Sequence, residues 1–79
     1  MLTDYIRAAM ARAEFARIDD GSFFGEIPGL QGIWANGQTE PDTREELQRV
    51  LEGWIVLRLE HGLPIPELAG ITLRTARVA

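Results

Sequence analysis

The chain has 79 residues, a formal net charge of −4 and no cysteine. One small domain is all that length supports, and the missing cysteines exclude disulfides and thiolate metal sites. The acidic balance speaks against nucleic acid as a direct partner and favours a basic one.

A chain of this size buries only about 60–65% of its unfolded surface, so its stability is modest without help from a partner. Its single histidine makes a transition-metal site an unsupported reading, and no metal or other cofactor is expected. Every Lys/Arg position holds arginine, the planar bidentate donor. No apolar run approaches the ~20 residues of a membrane span. The N-terminus lacks the basic, apolar and cleavage regions of a signal peptide, so the cytoplasm is the expected location.

In chain order, Leu2, Tyr5, Ile6, Ala9, Met10 and Ala13 recur at helical spacing, with Thr3 or Asp4 to start the helix. This stripe is thin and must rest on something larger. Glu14 to Ile18 reads as a first strand. Asp19-Asp20-Gly21-Ser22 reads as a hairpin turn, and Phe23 to Ile27 as the second strand. Phe23, Gly25 and Ile27 share one face, and Phe24 and Glu26 the other. Both faces carry an aromatic, which predicts one face covered by a helix and the other only partly exposed. Gly25 weakens its strand but admits a close neighbour.

Pro28 and Gly29 end the second strand. Ile33, Trp34 and Ala35 centre a third, and Asn36-Gly37 is expected to break it. Thr39 then caps a long helix, with Asp42 in the capping-box position and Pro41 in the first turn. The helix runs to about His61, where Gly62 fits a C-cap and Pro64 bars continuation. Leu47, Val50, Leu51 and Trp54 form the stripe that covers the sheet. Ile55, Val56, Leu57 and Leu59 spread apolar surface around the remaining circumference, and a helix apolar all round is buried all round. The N-terminal helix or a second chain must cover the excess, so a homodimer or larger homo-oligomer is expected. Beyond the extended Leu63-Pro64-Ile65-Pro66 linker, Ile71-Thr72-Leu73 is expected to form a short strand and Arg74 to Ala79 to fray.

The chemistry-bearing residues favour binding over catalysis. His61 sits where a helix C-terminus attracts positive charge, and no cysteine or well-placed serine completes a nucleophile–base pair with it. Asp19, Asp20 and Glu26 read as turn chemistry plus one strand carboxylate rather than a divalent-cation site. Glu40, Asp42, Glu45, Glu46 and Glu52 make an acidic helix face, with Arg44 and Arg49 interspersed. Gly25, Gly29, Gly32 and Gly37 follow no phosphate-loop pattern. Trp34 is balanced between core packing and contact, and tryptophan is enriched at interface hot spots.

Several motifs in order, Phe24-Gly25-Glu26-Ile27-Pro28-Gly29-Leu30-Gln31-Gly32, Ile33-Trp34-Ala35-Asn36-Gly37, Arg44-Glu45-Glu46-Leu47-Gln48, Val50-Leu51-Glu52-Gly53-Trp54 and Gly62 to Pro66, resemble the HicB antitoxin family over residues 14–67. The N-terminal helix, residues 1–13, resembles an extension of a short, stand-alone branch. The resemblance implies an α+β fold of degraded ribonuclease-H type: N-terminal helix, three-stranded antiparallel meander, long helix on the sheet. It also implies a partner, a small basic HicA-type toxin that cleaves mRNA and whose active site the antitoxin masks.

Many relatives add a DNA-binding domain. The tail 68–79 is too short for one, so DNA binding is not expected. Gln38-Thr39-Glu40-Pro41-Asp42 departs from the family's usual Asp-Thr-hydrophobic-Glu-Glu, which keeps the cap but puts a contact made there in doubt. A working ribonuclease H needs converging carboxylates on metal ions, but Ala16 and Trp34 hold the middles of the first and third strands, so no enzymatic activity is expected. The expected partner surface comprises Glu26, Trp34, Glu45, Glu52, Ile55, Val56 and Leu59. Gly25, Pro28, Gly29, Gly37, Thr39, Trp54 and Gly62 shape the backbone and core. The alternative reading is an orphan self-associating adaptor or small-ligand binder without a toxin.

Overall fold

The computed structural model describes residues 2–68 and 70. Helix α1 (Leu2–Ala11) precedes strands β1 (Glu14–Arg17), β2 (Phe23–Glu26) and β3 (Trp34–Gly37), and helix α2 (Glu40–His61) follows. The strands form an antiparallel meander in the order β1-β2-β3. This is the α+β arrangement expected from the sequence. The strand expected at Ile71 to Leu73 lies outside the described residues.

Turn chemistry sets the meander. At the first hairpin the Asp20 carboxylate accepts hydrogen bonds from the Ser22 amide (2.9 Å) and hydroxyl (2.6 Å). Those bonds, the hydroxyl's first, hold the Asp20 carboxyl below its ordinary pKa. In the second connection the Leu30 amide closes on the Ile27 carbonyl at 3.1 Å, around Pro28 and Gly29. This loop is part of the core, because Ile27, Leu30 and Ile33 are all buried.

β3 differs from expectation at its end. Asn36 and Gly37 do not break it; they pair with Phe24 and Phe23 of β2. The Asn36 side-chain amide donates to the Phe23 carbonyl (2.8 Å) and the Ser22 hydroxyl (3.2 Å), fastening the strand to the first turn.

α2 is fixed at both ends. The Thr39 hydroxyl accepts from the Asp42 amide at 3.1 Å, and the Thr43 hydroxyl donates to the Thr39 carbonyl at 2.7 Å. At the other end Gly62 adopts φ 68°, and the Leu63 amide reaches back to the Arg58 carbonyl at 2.8 Å. Between these caps Thr43, Leu47, Leu51 and Ile55 are buried, one per turn, against the sheet. Val50 and Trp54 flank them half-buried.

Two glycines let α2 sit this close. A Cβ on Gly37 would lie 2.7 Å from Thr43 Oγ1 and 3.0 Å from the Thr43 amide nitrogen. Gly25 faces Phe15 across the β1–β2 pair, and a Cβ there would lie 2.7 Å from the Phe15 ring. So the neighbour that Gly25 admits most closely is a cross-strand ring, with the Thr43 methyl at 3.2 Å behind it. The Arg44 guanidinium caps that ring at 4.8 Å from its centroid.

α1 packs beside α2 through Tyr5, Ala9 and Met10. The Tyr5 hydroxyl donates to the Pro66 carbonyl at 2.5 Å, tying the segment after α2 to α1. Burial raises the Tyr5 pKa, partly offset by Arg12. Leu68 completes the core.

Candidate functional site

Side chains alternate across a strand, so fixing the core face fixes the other. Gly25 and Ala35 pair with each other and are buried under α2. Glu14, Ala16, Phe24, Glu26, Trp34 and Asn36 therefore share the opposite face, and no described helix covers it. All but the half-buried Phe24 are exposed.

That face has a definite composition. Phe24 and Trp34 stack with centroids 5.9 Å apart and planes at 25°. Trp34 remains 57% exposed. Glu14 lies directly opposite Glu26, and Glu26 opposite Trp34. Like charges directly across a ladder are unfavourable. The face thus combines a preformed aromatic shelf with carboxylates that a cation would relieve. The sequence predicted a partly covered second face. Phe24 instead is half-buried and stacks on Trp34, and among the described residues no helix covers the face.

The expected partner residues separate into three groups. Glu26 and Trp34 lie together on this open face. Glu45, Glu52 and Val56 are exposed on the outer ridge of α2, turned away from the sheet. Ile55 corrects the expectation, because it is 0% exposed and packs in the core with Leu47 and Leu51. Its 100° step from Val56 carries it inward, so no partner can reach it. Leu59 is half-buried against the same core. Exposed apolar surface on α2 reduces to Val56 at 49% and Leu57 at 56%. The sheet face and the helix ridge lie on opposite sides of the molecule, so one flat partner surface cannot cover both.

Phe24 and Glu14 belong to the candidate site but were not named as partner residues from sequence, although Phe24 was placed on Glu26's face. The signal was present: small residues at Gly25 and Ala35 mark where a helix approaches, so their neighbours must face away.

Catalytic features are sparse. His61 is exposed in the last turn of α2. Among the described residues no group of three or more His, Asp or Glu side chains is placed to hold a metal. No described helix is long and apolar enough to cross a membrane. Near the end of α2, Arg58 stacks on Trp54 at 4.8 Å and donates to the Pro64 carbonyl at 3.0 Å, a cation used to pin the segment after the helix.

The UPF0150-like family profile matches residues 4–66. UPF0150 protein ssl0259 of Synechocystis sp. (strain ATCC 27184 / PCC 6803 / Kazusa) is 39% identical over 49 residues, covering 62% of this chain and 67% of that protein. The crystal structure of TTHA0281 from Thermus thermophilus superposes with a TM-score of 0.90 at 36% identity, covering 96% of this chain and 95% of that one.

Proposed function

The chain belongs to the UPF0150-like family, and from that premise we propose that it is an antitoxin-type binding module that occludes a small basic protein. The proposed partner is a HicA-type mRNA-cleaving toxin, and the mode is steric masking of its active site. The observation that carries this reading is the open sheet face, where Trp34 and Phe24 stack beside the opposed carboxylates Glu14 and Glu26. Exposed tryptophan on a rigid strand is a low-entropy anchor. Two carboxylates at paired positions on one face attract an incoming arginine or lysine, which gives preference for a basic partner and a faster encounter. The net charge of −4 acts in the same direction at longer range.

Binding rather than chemistry is the role these residues fit. The positions where a ribonuclease-H site would need carboxylates hold Ala16 and Trp34, and Glu26 has Glu14 opposite it but, among the described residues, no third His, Asp or Glu placed to hold a metal with them.

The test asks whether a small basic protein is encoded beside this chain, and expresses that protein alone and together with it; the absence of such a neighbour would count against the reading. The proposal expects growth arrest by the basic protein alone and relief on co-expression. Arrest that persists while the chain is made in excess, or a neighbour that never arrests growth, would count decisively against it.

A further inference from the structure

The sheet ends at β3. Among the described residues Trp34–Gly37 pairs only with β2, leaving the outer edge of the strand without a ladder partner. Proteins usually blunt such an edge with lysine, proline, a bulge or a covering element, because unpaired N–H and C=O groups invite another strand. β3 carries neither lysine nor proline, and its residues are Trp, Ala, Asn and Gly.

Beside this edge runs an open groove of about 540 Å³. Its strand side is Trp34 to Gln38, and its helix side is Asp42, Glu46 and Val50. Among the described residues no cationic side chain lines it. Arg49 bonds Glu46 at 2.5 Å, but the two side chains are 65% and 46% exposed, so solvent screens that pair and Glu46 can exchange it for another cation. Among the described residues the groove therefore has a strand edge without a ladder partner, Val50 as the apolar contact on its helix side, and two carboxylates one helical turn apart.

We propose that β3 is a strand-addition site, where an extended basic segment of the partner becomes the fourth strand of the sheet. This names the docking mode of the occlusion reading above and rests on it. Alternate side chains of an added strand fall on opposite faces. One set enters the groove, where arginines or lysines meet Asp42 and Glu46 and an apolar residue meets Val50. The other set lies beside Trp34 on the open face, where a guanidinium stacks on the indole. A second copy of this chain is a poorer occupant. Pairing β3 with β3 would bring the two Asp42–Glu46 groups towards each other, and like charges across an interface are costly.

The experiment uses the full chain, isotope-labelled, with three capped heptapeptides: alternating Arg and Val, the same peptide N-methylated at alternate residues, and alternating Glu and Val. Binding is read by NMR titration, and amide hydrogen exchange is read residue by residue. The Arg–Val peptide should bind and slow exchange at amides within Trp34–Gly37. N-methylation, which blocks one ladder edge, should weaken binding by about tenfold or more, as should Glu46→Lys. The Glu–Val peptide should not bind.

Equal affinity for the N-methylated peptide, protection confined to other elements, or no binding of the Arg–Val peptide would each overturn strand addition. If those results came while co-expression still relieved toxicity, occlusion would stand and only its docking mode would fall. If the peptide paired with β3 but co-expression gave no relief, the edge site would stand and the toxin reading would fall.

Discussion

Replacing Gly37 by alanine tests the packing that positions the whole site. The added Cβ would meet Thr43 Oγ1 at 2.7 Å, its amide nitrogen at 3.0 Å and its Cα at 3.1 Å. Comfortable carbon contacts begin near ~3.5 Å, so the overlap is about 0.4–0.5 Å against backbone that cannot rotate away. The first turn of α2 must shift, and fully buried Thr43 shifts with it. Overpacking of this kind costs about 1–3 kcal/mol. The loss of backbone freedom in the unfolded chain returns about 0.4–1 kcal/mol. The mid-range net loss, about 1.3 kcal/mol, corresponds to roughly 5–10 °C in Tm for a domain of this size. Urea unfolding followed by circular dichroism should show a lower midpoint at an unchanged slope. Gly25→Ala is the comparison, because its nearest obstacle is the movable Phe15 ring, 2.7 Å away. If Gly37→Ala lost no more stability than Gly25→Ala, close backbone approach would not be what seats α2.

Three further outcomes follow from the same contacts. Thr39→Ala removes the acceptor for the Asp42 amide and should cost about 1 kcal/mol in urea unfolding, while Thr39→Ser should retain most of it. Tyr5→Phe removes the bond to the Pro66 carbonyl, worth about 1 kcal/mol, and should speed amide exchange around Ile65 and Glu67. Burial raises the Tyr5 pKa above its unfolded value. Its stabilising contribution is therefore complete below the unfolded pKa of about 10 and is lost as pH rises through the folded pKa. Wild-type urea midpoints should decline over this alkaline range by a step that Tyr5→Phe lacks. Val56→Ala, on the exposed ridge of α2, should leave stability within about 0.5 kcal/mol and leave binding of the proposed basic partner unchanged.

Much of the fold was legible because local signals agreed with the tertiary demand. Thr39, Pro41 and Gly62 bound α2, and the turn residues around Asp20 and Pro28 separate the strands. Where the reading failed, packing overrode propensity. Asn36-Gly37 has strong turn character, yet Gly37 stays in the strand, where a bare Cα leaves room for Thr43. Ile55 looked surplus because apolar residues at 55, 56, 57 and 59 surround the helix. Only the placement of the sheet decides which of them turns inward. The candidate face was half legible: Glu26 and Trp34 were identified and alternation within β2 already set Phe24 beside Glu26, but Glu14 joins opposite Glu26 through cross-strand register, which sequence spacing within one strand does not reveal.

The central claim is that the open face of the sheet, anchored by Trp34, is where the partner binds. Calorimetric titration of the proposed small basic partner into wild-type chain, Trp34→Ala and Val56→Ala tests it most directly. Trp34→Ala should weaken binding by about 2 kcal/mol or more while Val56→Ala binds like wild type, with both variants as folded as the parent. Wild-type affinity for Trp34→Ala together with a large loss for Val56→Ala would move the interface to the helix ridge and contradict the account.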